Sequence, residues 1–183
     1  MHNLFWRLLA KLLARPDIAD WLIERARRTP YQNIWSPDGS KLYMARWWLL
    51  NPYDRNSHKP KYWWFPWSIR IHHILRPDDD RDLHDHPWDA RTVILRGWYA
   101  EQRLADEQLT SLLKAPSGAQ VTEFIDRRAG DTATLNHGEY HRIDQVSPGG
   151  VFTMFITSRW QGEWGFLVDG EKVHWKKYTG EQQ

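Results

Sequence analysis

HDHPW at residues 84–88, and GDTATLNHGEYH at residues 130–141, are the two stretches whose reading decides the fold. His84 and His86 flank a single residue. On an extended strand alternate side chains share a face, so both imidazoles can aim at one point. His141 follows 55 residues after His86 in a segment framed by Gly130 and Gly138, residues suited to turn conformations that others resist. Three neutral imidazoles can hold zinc, iron, nickel, manganese or copper.

Outward from these stretches the pattern is β. Residues 34–35 and 42–50 read as a strand, tight turn and strand. Residues 51–61 are a polar loop, and an aromatic run from 63 leads into a strand ending near 75. Residues 76–89 read as a loop carrying six aspartates and the first two histidines. Residues 90–95, a turn at Gly97 and residues 98–103 read as a hairpin. Residues 104–120 read as a weak helix or long loop. Further short strands are expected at 121–125, 131–135, 141–146, 151–157 and 164–168. Many short strands with Gly, Pro and Asp turns predict an all-β sandwich or barrel. Ahead of them, Leu4, Phe5, Leu8, Leu9, Leu12 and Leu13 recur at helical spacing, Pro16 breaks the pattern, and residues 17–28 form a second helix with a basic end. These helices are expected to pack on the domain or on a second subunit; a membrane-surface helix is the sharper alternative. The expected organisation is an N-terminal helical extension at 1–30, a β-barrel domain at 31–178 and a tail at 179–183.

Composition sets limits. With 183 residues, 41% hydrophobic and 26% charged, the chain suits one soluble domain. Lacking cysteine, it has no disulfide, thiolate ligand or cysteine nucleophile. A net charge of +2 gives no argument for nucleic acid. The apolar stretch at 4–13 is interrupted by Arg7 and Lys11, so neither a secretory signal nor a membrane span is expected, and the cytoplasm is the expected location. Thirteen tryptophans call for a wide aromatic pocket or an interface.

The two histidine stretches resemble the paired motifs of the cupin superfamily, a double-stranded β-helix or jelly roll. The second cupin motif spaces a glycine, a proline, a glycine, a histidine and an asparagine. Here Gly130, Gly138 and His141 fall at the family spacing, while Asn136 stands for the proline and Gln145 for the asparagine. In the first motif His84, His86 and Gly97 match. Its glutamate position falls on Ala90 or Arg91, so the carboxylate that usually joins three histidines is missing from its place. The resemblance covers roughly residues 67–168, and the strings HDHPW, ILRGWY, EWGF and VHW are similar to a cupin branch common in phages and bacteria.

The resemblance implies a divalent transition-metal site at His84, His86 and His141, with Fe(II) favoured and Zn, Ni or Mn as alternatives. It implies a dioxygenase-like enzyme acting on a small molecule, since three-histidine iron sites occur in thiol dioxygenase-like and diketone-cleaving cupins. Two other functions compete: a non-catalytic module that sequesters a nucleotide or sugar, or serves as an assembly surface, and a sugar isomerase or epimerase. Glu101 is a candidate ligand, base or hydrogen-bond acceptor for a ligand, against the plainer reading of a solvated strand carboxylate. Asp85, Asp89 and Glu139 are weaker candidates for a fourth group. Tyr99 and Arg91 are expected to shape the site, and His73 and Trp88 to contact substrate. The aromatic-basic residues Arg46, Trp47, Trp48, Lys59, Lys61, Trp63, Trp64, Trp67 and Arg70 are read as strand packing rather than a nucleic-acid surface. A homodimer is one use for the surplus tryptophans.

Overall fold

The computed structural model of the chain describes residues 2–36, 38–54, 56–105 and 120–180. Two helices come first, α1 (His2–Leu13) and α2 (Pro16–Arg27). Pro16 sits at the start of α2 with Asp17 in its first turn, and Arg25 and Arg27 lie in its last, each complementing the helix dipole. Eleven strands follow: β1 (Ile34–Trp35), β2 (Leu42–Leu50), β3 (Ser68–Ile74), β4 (Ala90–Arg96), β5 (Trp98–Leu104), β6 (Thr122–Arg128), β7 (Thr132–Leu135), β8 (His141–Val146), β9 (Val151–Thr157), β10 (Gly165–Val168) and β11 (Glu171–His174). A short helix α3 (Trp175–Tyr178) closes the described chain.

The strands form two antiparallel layers. One has the order β1-β2-β3-β9-β4-β7 and the other β6-β5-β8. The second is extended by His84, which pairs with His141 of β8 on one side and Phe166 of β10 on the other. From β3 onward the chain passes repeatedly between layers, which is the jelly-roll arrangement expected of a cupin-type double-stranded β-helix.

One expected hairpin is absent. β4 pairs with β7 and β9, whereas β5 pairs with β6 and β8. Gly97 is therefore the corner where the chain leaves one sheet for the other. It has φ +80°, and a Cβ there would lie 2.6 Å from Ser147 Oγ and 2.7 Å from the Gly150 carbonyl. No other residue fits that combination of backbone and space. β6 continues to Arg128, past the expected end at 125, and β11 and α3 were not anticipated. The expected helix or loop at 104–120 falls mostly outside the described residues.

The larger sheet is apolar on both faces, for different reasons. Its outer face presents Ile71, Val93, Leu95, Phe152 and Met154 to Ala10, Ala19, Leu22, Ile23 and Ala26 of the helices. α2 thus packs on the domain, and α1 does so through Ala10 and Leu13, while Leu4, Phe5, Leu8 and Leu12 of the α1 stripe are exposed. Its inner face meets the second sheet through Met44, Ile74, Ile94, Tyr99, Ile143 and Val151. That inner core fills only part of the barrel. The inward residues of β3 run Ser68, Arg70, His72, Ile74, and their partners on β9 are Thr157, Phe155, Thr153 and Val151. The interior changes along the strands from aliphatic to polar and aromatic, and the polar part holds the histidines.

Candidate metal centre

Residues 83–85 are stitched between β8 and β10. His84 N donates to the His141 carbonyl and His141 N to the His84 carbonyl, each at 2.9 Å. Asp85, between the two histidines, points the other way, as the strand alternation requires. It does not face solvent. It is fully buried, and it accepts from Gly165 N at 2.7 Å and Lys172 Nζ at 2.5 Å. This anchor fixes the strand that carries both imidazoles.

The other arm is the turn before β8. Gly138 holds φ +83°. Asn136, in the family's proline place, closes the turn: its N and Nδ2 donate to Glu139 at 2.9 and 2.6 Å. Asp89 accepts from His137 N at 2.9 Å and Gln161 Nε2 at 2.7 Å. Asp85, Asp89 and Glu139 thus hold the scaffold.

One ligand atom from each of His84, His86 and His141 lies within 4.8 Å of the others. His86 Nε2 and His141 Nε2 are 3.1 Å apart. Two imidazoles on one ion with bonds of about 2.1 Å stand about 3.0 Å apart at a right angle and about 3.4 Å apart at a tetrahedral angle. His84 Nδ1 is buried without a protein partner. Burial, foremost, lowers the pKa of His84 to about 4 and that of His86 well below its ordinary value, so both stay neutral and able to ligate.

Glu101 is 1% exposed, so it is no solvated carboxylate. Its Oε1 lies 2.7 Å from Arg127 Nε and 3.1 Å from Arg103 Nε, and its Oε2 lies 3.4 Å from His141 Nδ1. Burial alone would push this carboxyl up; the contact with His141 and the two arginine charges outweigh it and bring the pKa down to about 2. It stands behind His141 as a charge contact, since neither Glu101 Oε2 nor His141 Nδ1 has a hydrogen-bond partner among the described residues.

The other expected site residues divide by strand face. Trp88 stacks along His86, ring centroids 5.9 Å apart. Tyr99 belongs to the inner aliphatic core, where burial raises its pKa. Arg91 does not shape the site. It lies on the outer face of β4, over the Trp6 ring of α1 at 4.7 Å. His73 likewise faces outward, stacked on Phe152 at 3.9 Å and 2.9 Å from the Gly149 carbonyl. The inward residue of that pair is His72, buried against Phe155.

Arg70, expected only as strand packing, and His72, the neighbour of His73 on the opposite face, are the polar residues of β3 that turn inward. The signal was the period-two pattern of β3, in which Ile69, Ile71 and His73 face one way and Ser68, Arg70 and His72 the other. The apolar face belongs to the helices, which leaves the polar set inside.

The two-layered β fold and its three-histidine cluster together form a candidate metal centre. No protein-family model and no curated protein sequence matches the chain. Among solved structures it is similar to an oxalate oxidase at 15% identity and TM-score 0.47, covering 72% of this chain and 57% of that one. A Lactobacillus farciminis oxalate decarboxylase gives 12% identity, TM-score 0.48 and coverage of 83% and 36%. A putative mannose-6-phosphate isomerase from Ralstonia eutropha gives 13%, 0.41, 68% and 87%. The chain spans about half the length of the first and about a third of the second. No helix among the described residues is long and apolar enough to cross a membrane.

Proposed function

We propose that the protein is a metal-dependent enzyme of the non-haem Fe(II) dioxygenase type, acting on a small molecule at the three-histidine centre. The observation that carries this reading is a candidate ligand set of three histidines with no carboxylate among the described residues, while Glu101, 3.4 Å from His141, is paired with two arginines. The ligands are neutral, so a bound ion keeps its full charge and has positions open for exogenous ligands. Iron would supply redox chemistry with dioxygen and substrate side by side.

The chain's own residues do the rest. Glu101 places its negative charge 3.4 Å from Nδ1 of His141, which favours a proton on that side and leaves Nε2 free to ligate. Trp88 and Phe155, both beside His86, wall off water. His72 adds a neutral imidazole within the same interior.

The test is elemental analysis of untagged protein purified without oxygen, beside a variant with His84, His86 and His141 all changed to alanine. Near-stoichiometric iron, lost in the variant, together with oxygen uptake that depends on it, is the expected result. Zinc, nickel or manganese without oxygen uptake would move the function toward an isomerase or hydrolase. No metal after anaerobic reconstitution would refute the enzyme and leave a binding module.

A further inference from the structure

Arg70 is 1% exposed and forms no ion pair among the described residues. Its one hydrogen bond runs from Nη1 to the Tyr53 hydroxyl at 3.1 Å. Five rings surround the guanidinium carbon: Trp88 at 5.0 Å, Trp48 at 5.3 Å, Phe155 at 5.5 Å, Tyr53 at 5.6 Å and Tyr31 at 6.0 Å. Ring faces attract a cation but do not neutralise it. A permanently charged group shut away from water with no counter-charge is rare, because nothing repays its lost hydration.

Nε and Nη2 of Arg70 are buried and without partners. These are neighbouring donors on one edge of the guanidinium, the edge that receives both oxygens of a carboxylate. Two more buried nitrogens nearby lack partners, Trp88 Nε1 and His72 Nε2. All three side chains belong to one neighbourhood. Trp88 and Phe155 each touch both Arg70 and His86, and Phe155 also packs on His72. Tyr53 and Trp88, which flank Arg70, also line a surface cleft with Ser68, His58, Arg159 and Trp160.

We infer that Arg70 is the receptor for the carboxylate of a small organic acid bound in the barrel beside the three histidines, with Trp88 Nε1 and His72 as additional polar contacts. A single negative charge matches the single caged cation. A phosphate dianion would set its second charge against the negative ring faces. The inference deepens the metal-centre reading by naming the substrate class, but the Arg70 receptor does not need the metal in order to bind.

The test is calorimetric titration of the full chain, both chelator-treated and Mn(II)-loaded, with acetate, benzoate, benzamide and inorganic phosphate. At least one carboxylate should bind saturably to both forms, and benzamide at least tenfold more weakly than benzoate. Arg70→Met should lower carboxylate affinity at least tenfold while keeping its metal and a melting temperature equal to or above the parent's, as expected of a charge kept for a ligand rather than for the fold. Arg70→Lys, which keeps the charge and loses the fork, should fall between and serves if the methionine variant does not fold. No carboxylate binding, equal binding of benzamide, unchanged affinity in the variants, or preferential binding of phosphate would each overturn the inference. Carboxylate binding that depends on Arg70 in a protein that takes up no metal would sustain it while refuting the metal reading.

Discussion

Glu101→Gln tests whether the buried carboxylate is part of the metal centre. The change keeps shape and removes one charge. Bringing the carboxyl from an ordinary 4.5 to about 2 corresponds to about 3 kcal/mol of favourable interaction in the ionised form. Breaking a buried pair typically costs ~3–5 kcal/mol. Arg103 and Arg127 keep 16% and 20% exposure, so water relieves part of their loss, and the amide oxygen still accepts from one of them. A net loss of about 2–3 kcal/mol is expected, or roughly 5–10 °C in melting temperature for a chain of this size. Metal affinity should fall separately, by about 10–100-fold, because His141 loses the negative charge behind its Nδ1. Competition with a calibrated chelator measures the second effect and thermal unfolding of metal-free protein the first. Metal affinity within about twofold of the parent, beside a lowered melting temperature, would refute the link to His141 and leave Glu101 as a structural counter-ion.

Acidification gives an independent check. His72, His84 and His86 are held neutral by burial, with pKa values below the unfolded value of about 6.5. The unfolded chain therefore takes up protons that the folded one does not: their contribution is complete above about pH 6.5 and is lost as pH falls, by about 1.4 kcal/mol per pH unit for each group. The melting temperature of metal-free protein should drop steeply between pH 6.5 and 4.5, and a flat profile would contradict the burial. Gly97→Ala forces a side chain into contact with Ser147 and the Gly150 carbonyl at positive φ, and should cost about 2–4 kcal/mol in denaturant unfolding. Arg91→Ala should leave metal affinity unchanged and cost about 0.5–1 kcal/mol through the lost Trp6 contact; weakened metal binding would mean that β4 faces the other way.

The histidine pair, the framing glycines and the strand-rich middle of the chain were legible because each rests on local spacing. Alternation alone says why Asp85 points away from the imidazoles between which it sits. What local spacing does not carry is the side of a sheet on which a residue ends. His72 and His73 are equivalent in sequence, and choosing between them requires knowing that α2 covers Ile69 and Ile71. Arg91 is misassigned for the same reason, since Val93 and Leu95 on its face also lie under the helices. The corner at Gly97 reads as a hairpin because a glycine between two strands serves either purpose. Only the partners of β4 and β5 distinguish them.

The buried charges constrain what the interior can receive. Glu101 lies behind His141 and is paired with Arg127 and with Arg103, the latter shared with Glu139, while Asp78 acts on His84. Asp85, the other fully buried carboxylate nearby, is paired with Lys172 on the outside of its strand. His84 and His86 are held neutral by burial, and Arg70 adds a positive charge with no ion-pair partner among the described residues. A divalent ion would add two more. An interior of low polarisability does not hold such an excess without an anion. Metal and organic acid should therefore bind with positive linkage: the ion at the histidines raises affinity for the carboxylate at Arg70, and the carboxylate raises affinity for the ion by the same factor. Arg70→Met reduces the positive excess, so it should tighten the metal slightly in the absence of acid and abolish the coupling in its presence. Titrating Mn(II) with and without benzoate, in parent and variant, closes the cycle; equal metal affinity in all four arms would refute the linkage.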